Sequence, residues 1–304
     1  MSTKRLIVTA DDYGLCPPVN EAIDECLAAG TLRATCVMTN MPEAAAALTF
    51  RQRFPSASLG LHWTLSLGRP VLPPGQVASL VGPDGEFLPQ PELRRRIMAR
   101  RYNPAHVRAE LTAQYERFRE LAGEPDFWNT HQNVHVAPGM FELCSDLAWE
   151  LGVRAMRAHR RITVPRRGNA TTYNMRHPLY WLKARLIDRW TVRLERQGVL
   201  LPDGIVHLPG YQEGKAAIEA VVGRLPWRSL RRAAEWIIHP STSADDKLLG
   251  RLTASRVREY AVFRDPQLRQ RLAARGVEAV GFETLGAVAR PEVTHGNDAH
   301  GHHV

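Results

Sequence analysis

The stretch Leu6-Ile7-Val8-Thr9-Ala10-Asp11-Asp12-Tyr13-Gly14 joins a short β-forming run to two acids and a glycine. So brief an apolar run, cut off by charge, predicts a buried strand and not a helix. Pro17 and Pro18 then precede Val19-Asn20-Glu21-Ala22-Ile23, with Leu27 four residues beyond Ile23 and Gly30 closing the segment. Proline at the start and glycine just past the end is the asymmetry of an α-helix. Residues 6–30 thus read as a βα unit whose two aspartates sit at the C-terminal end of its strand.

The same alternation continues along the chain. Residues 34–39, 57–63, 126–131, 153–156, 205–208, 233–238 and 277–282 are further strand candidates, and 42–54 and 143–151 are helical. Strands separated by helical patterns imply a parallel sheet with right-handed crossovers. Seven or eight strands over 304 residues fit one α/β domain, a single (β/α) barrel, distorted or seven-stranded, with inserted loops and helices. An open doubly wound sheet is the alternative. The barrel is expected over 1–291, with an insertion at about 157–202 and a disordered His-rich tail at 292–304. A Pro- and Gly-rich stretch, 68–92, carries the turn Pro83-Asp84-Gly85. The 157–202 stretch is Arg-rich, with Tyr173, Tyr180, Trp181 and Trp190 interspersed, and reads as a binding loop or as a surface helix pair.

Composition excludes several classes. Hydrophobic residues at 44% and charged residues at 23% allow a sizeable core and rule out global disorder. Cys16, Cys26, Cys36 and Cys144 form no Cys-x-x-Cys pair, so a disulfide framework or cysteine zinc site is not expected. The N-terminal apolar run is stopped by Asp11 and Asp12, too early for a signal peptide, and no window nears the ~18 apolar residues of a membrane span. A cytoplasmic protein is expected. The net charge of +9 favours anionic partners without naming one.

The chemistry lies at the strand ends. Asp11 and Asp12 follow the first strand, His62 ends the 57–63 strand, His131 ends the 126–131 strand with His135 close behind, and His239 ends the 233–238 strand. In an α/β barrel these ends open onto one face, where active sites are built. One carboxylate and two neutral imidazoles are a ligand set for a divalent cation, with positions left for water and substrate. On an extended chain the second aspartate points away from the first, so one can ligate while the other accepts a proton. A further histidine can protonate a leaving amine. The set describes metal-assisted hydrolysis of an amide or ester.

Thr9-Ala10-Asp11-Asp12-Tyr13-Gly14-Leu15 with Val19-Asn20-Glu21-Ala22-Ile23 resembles the opening signature of the YdjC-like carbohydrate deacetylases. Gly60-Leu61-His62-Trp63-Thr64-Leu65 with Gly68-Arg69-Pro70, Thr130-His131-Gln132-Asn133-Val134-His135 and Ile238-His239-Pro240 match the later motifs, in order, over residues 5 to about 285. The resemblance implies a (β/α) barrel that removes N-acetyl groups from sugars. It gives Asp12, His62 and His131 as metal ligands, Asp11 as catalytic base and His239 as general acid. It implies a divalent cation, magnesium or zinc first, with manganese, cobalt and nickel also compatible. The sequence is similar to the branch associated with an N-acetylglucosaminyl hopanoid lipid, and also to relatives acting on chitooligosaccharides. The implied partner is an N-acetylated sugar or glycolipid, with peripheral membrane contact and a homodimer expected and no nucleic acid.

The chain departs from that pattern at Tyr13, where Phe is commoner, and at Asn129 and Gln132-Asn133, where relatives carry Asp and further histidines. His135 is assigned a structural role. Two other readings compete: a metal-dependent ester or phosphoester hydrolase, and a non-catalytic carbohydrate- or nucleic-acid-binding relative supported by the basic charge.

Overall fold

The opening run does form a strand, and it extends past the acids: β1 spans Lys4–Tyr13. The computed structural model describes residues 4–163, 178–207, 215–245 and 247–286. Among these, α1 (Pro17–Ala28), β2 (Ala34–Val37), α2 (Phe50–Arg53), β3 (Ser58–Trp63), α3 (Gln90–Met98) and α4 (Pro104–Ala122) make the first half. The second half holds β4 (Trp128–Thr130), α5 (Met140–Glu150), β5 (Arg161–Thr163), α6 (Pro178–Gln197), β6 (Gly204–His207) and α7 (Lys215–Val222), then β7 (Ala234–Ile238), α8 (Thr253–Phe263), α9 (Pro266–Ala273) and β8 (Val277–Ala279).

Every strand pairing among the described residues is parallel, and the order is β4-β3-β2-β1-β7-β6-β5, with β8 on the start of β1. Each neighbour in the sheet is a neighbour in sequence until β7 returns to β1. That cyclic order belongs to a (β/α) barrel; a doubly wound sheet would reverse direction at a switch point. Beyond β4 the sheet continues only by isolated bridges, Trp128 with Met156 and Ala155 with Leu200, which lead to the chain just before β6. Residues 153–156, expected as a strand, therefore form none. Their backbone bonds go one way to Trp128 and the other way to Leu200, and neither ladder lengthens.

Three boundaries also differ from the sequence reading. Residues 42–54 break into a 3₁₀ turn over Ala44–Thr49 and the single turn of α2. β4 is only three residues, because His131 already begins a 3₁₀ turn (His131–Asn133). β1 runs on to Tyr13 with a register break between Ala10 and Tyr13 and Asp12 at φ 72°. The 157–202 stretch contributes β5 and α6 to the alternation. Tyr173 and the 292–304 tail lie outside the described residues.

Alternation along the strands sorts side chains between two layers. Leu6, Val8 and Ala10 belong to the large core between strands and helices, while Ile7 joins Ala34, Cys36, Phe127, Ala155, Ala233 and Phe282 in a smaller cluster. Phe127 and Phe282 stack there at 3.8 Å and 4°, a pair worth about 1 kcal/mol beyond its buried area. Gly60 leaves the room they need, since a Cβ at that position would lie 2.5 Å from the Phe127 ring. The same face of each strand, continued toward its C-terminal end, carries Asp11, His62, Asn129, Glu235 and His239. An apolar plug at one end thus supports a polar mouth at the other.

Candidate active site

Asp12 is the centre of one buried cluster. Its Oδ1 lies 3.0 Å from His131 Nδ1 and 3.3 Å from His62 Nε2, while its Oδ2 accepts from Arg256 Nη2 at 2.5 Å. One ligand atom from each of Asp12, His62 and His131 falls within 4.8 Å of the others, close enough for one cation to touch all three. All three side chains are buried. A carboxylate oxygen between two imidazole nitrogens is a donor set suited to a divalent ion. Burial alone would raise the Asp12 pKa, but His131, His62 and Arg256 hold its carboxyl well below the usual range.

Asp11 belongs to a second cluster that meets the first at His62. Arg157 donates to it twice, Nη1 to Oδ2 at 2.8 Å and Nη2 to Oδ1 at 2.7 Å. Against the upward pull of burial, Arg157, His62 and His239 keep the Asp11 carboxyl ionised, far below its ordinary value. His239 Nε2 stands 3.7 Å from Asp11 Oδ2. Burial depresses the His239 pKa more than the two aspartates raise it, so its ring is neutral near pH 7. Its backbone N–H donates to Glu259 Oε2 at 2.6 Å.

The positive φ at Asp12 explains how adjacent residues serve both clusters. An extended chain would send the two carboxylates to opposite faces; the bulge re-aims one of them, so both reach the mouth. A non-glycine residue at φ 72° costs roughly 1 kcal/mol or more and persists only where its surroundings fix it. Arg256, His62 and His131 do so here.

Structure brings together all five residues singled out in the sequence, Asp11, Asp12, His62, His131 and His239. His135 lies apart, buried between Thr130 Oγ1 and His159 Nε2, each 2.5 Å away. Four partners were not foreseen in these roles. Arg157 also ties Glu235 Oε1 at 3.0 Å, which accepts from Thr9 Oγ1 at 2.9 Å. Cys36 Sγ lies 3.2 Å from Asp11 Oδ1 and 3.3 Å from His62 Nδ1, and burial with the nearby aspartate pushes its thiol up to about 11, so it stays protonated. Arg256 reaches Asp12 from α8. A lone acid within Ala234-Glu235-Trp236-Ile237-Ile238 was the available signal for Glu235, and an arginine directly after the 153–156 run was the signal for Arg157.

Asn129, singled out as a departure, lies 2.5 Å from His62 Nδ1. With its carbonyl toward the ring it accepts from Nδ1–H and leaves Nε2 a lone pair for a cation. Turned over, its amide donates to Nδ1 and its oxygen accepts from Arg157 at 2.9 and 3.0 Å. The orientation therefore selects the His62 tautomer. Beside this mouth opens a cavity of about 370 Å³, lined by Gln132 and Asn133 directly after His131, by Ile237 two residues before His239, and by Arg94, Arg161 and Lys183.

A family model described as YdjC-like protein matches residues 5–274. A carbohydrate deacetylase from Homo sapiens is 32% identical over 301 residues, covering 92% of this chain and 91% of that one. A carbohydrate deacetylase from Geobacillus stearothermophilus is 29% identical over 279 residues, covering 91% and 96%. A solved structure from Enterococcus faecalis shares the fold, with TM-score 0.72 and 24% identity over 93% of this chain and 99% of that one.

Proposed function

Because the chain belongs to the YdjC-like protein family, we propose that it is a carbohydrate deacetylase that hydrolyses the N-acetyl amide of a sugar with a divalent cation bound by Asp12, His62 and His131. The observation that carries this reading is the approach of those three donors to within 4.8 Å of one another, with Asp11 and His239 alongside. Names of relatives that cover nearly the whole chain point the same way.

A divalent cation at this site would polarise the acetyl carbonyl and lower the pKa of a water. Asp11, ionised and gripped by Arg157, accepts the proton that the attacking water releases. Its low basicity makes it a transient holder. The neutral imidazole of His239, 3.7 Å from Asp11 Oδ2, is the better base: it takes up that proton from Asp11, and the imidazolium so formed delivers it to the departing amine nitrogen. One proton of the water reaches nitrogen by this route and the other leaves with the acetic acid, which ionises, so the products are acetate and the protonated amino sugar. Arg256 holds Asp12 Oδ2, which leaves Oδ1 for the cation.

The substrate is an N-acetylated sugar, either a chitooligosaccharide or the headgroup of a glycolipid such as an N-acetylglucosaminyl hopanoid. Two imidazoles and one carboxylate suit zinc, manganese, cobalt or nickel, and magnesium fits with added waters. The test is acetate release from N-acetylglucosamine oligomers and from the glycolipid, beside phosphate release from generic phosphoesters. Acetate release that chelation abolishes and added metal restores supports the proposal. Phosphate release without acetate release overturns it.

A further inference from the structure

Seven large apolar side chains stand exposed among the described residues, and four of them, Trp181, Leu182, Leu186 and Val192, lie on the single helix α6. At 100° per residue, Leu182, Arg185, Leu186, Arg189 and Arg193 fall on one outward face, and Leu182 and Leu186 are 67% and 36% exposed. The acids of the helix are turned elsewhere: Asp188 pairs with Arg160 at 3.0 Å and Glu195 lies 3.8 Å from Arg232. The outward face is therefore basic and apolar together. On the opposite side of the same helix, Lys183 and Ile187 line the cavity beside the active-site mouth.

We propose that the outer face of α6 docks the protein on an anionic lipid surface. Leucine and tryptophan between arginines is the pattern of an interfacial helix, in which apolar groups enter the acyl boundary and guanidinium groups meet lipid phosphates. Charge decides between this occupant and a second copy of the chain. A two-fold interface on this face would bring Arg185 and Arg189 against the same arginines of the second copy, and the exposed acid beside the face, Asp146, is already paired with Arg193 at 3.3 Å, whereas an anionic bilayer supplies the missing charge. No described helix is long and apolar enough to cross a membrane, so the contact is one of surface binding. The inference stands apart from the deacetylase reading, since it concerns a face that holds none of the catalytic groups.

The full chain is sedimented with vesicles of phosphatidylcholine alone and of phosphatidylcholine mixed with phosphatidylglycerol. Binding to the mixed vesicles, weakened by salt, is expected. The pair Arg185→Gln and Arg189→Gln should lower the affinity about 30-fold, and Leu182→Glu with Leu186→Glu should abolish binding. Circular dichroism and thermal midpoint identify variants that keep the wild-type fold, and a Trp181→Phe variant should lose part of the fluorescence blue shift seen on vesicle addition. Failure of the wild type to sediment with either vesicle overturns the proposal, as does undiminished binding by the folded leucine variant. Self-association in the ultracentrifuge that depends on Leu182 and Leu186 also overturns it, assigning the face to a second copy.

Discussion

Arg157 and Asp11 form a two-point ion pair inside the barrel, with oxygen-to-nitrogen distances of 2.8 and 2.7 Å and both side chains almost wholly excluded from water. Arg157 simultaneously meets Glu235, so one guanidinium answers two buried carboxylates. Burial pushes the Glu235 pKa up, against the opposing pull of Arg157. Arg157→Met leaves both acids without their partner, and breaking a buried pair of this kind costs about 3–5 kcal/mol. Chemical denaturation should register that loss. Adding Glu235→Met to Arg157→Met should recover part of it by removing one stranded carboxylate. A loss below about 1 kcal/mol would contradict the arrangement.

Division of labour between the adjacent aspartates is separable by metal content. Asp12→Asn, His62→Ala and His131→Ala each remove a donor, and their affinity should fall by more than the ~10–100-fold typical of losing an outer hydrogen-bond partner. Asp11→Asn should keep the metal and lose turnover, because Asp11 faces Arg157 and His239 and is not one of the three donors around Asp12. Equilibrium dialysis with zinc or manganese, paired with acetate release, gives both readouts. Equal metal loss in the Asp11 and Asp12 variants would merge the two roles.

Asn129 should tune the same centre without touching the ion. Its amide sits 2.5 Å from His62 Nδ1 and fixes which ring nitrogen carries the proton. Asn129→Leu removes that choice while nearly preserving volume, and a metal affinity lower by about 10–100-fold is expected. Titration of apo-protein with the ion checks it. An unchanged affinity would mean that Cys36, 3.3 Å from the same nitrogen, is enough to orient the ring.

Much of this site was legible because one rule, charged or ligating residues at the C-terminal ends of parallel strands, covers Asp11, Asp12, His62, His131 and His239. What escaped had physical reasons. Arg157 follows a segment whose strand never forms a ladder, and it opens an Arg-rich stretch in which no single arginine stands out. Arg256 comes from a helix, where spacing says which face is apolar but not which barrel residue that face meets. The backbone at Asp12 was invisible too: a positive φ at a non-glycine is imposed by partners distant in sequence. The barrel was expected from the strand count, with a doubly wound sheet as the alternative, whereas the thin closure from β4 through residues 155–156 to Leu200 depends on single bridges that no periodicity encodes.

Glu259 gives the fold a pH dependence opposite to that of an ordinary surface acid. Burial pushes its carboxyl up to about 7, against the pull of the His239 backbone N–H and Arg256. Its folded value lies above the unfolded value of 4.5, so the folded state binds the proton more tightly. The associated stability is complete below about pH 4.5 and is lost as pH rises through about 7. Glu259→Gln has no proton to lose. It should match the wild type near pH 5 and exceed it above pH 8 by on the order of 1 kcal/mol, less than full linkage would give because the side chain is partly exposed to solvent. Urea denaturation of both proteins across that range measures the difference directly. A gap that is constant with pH, or one that widens toward acid, would assign the titration to another group.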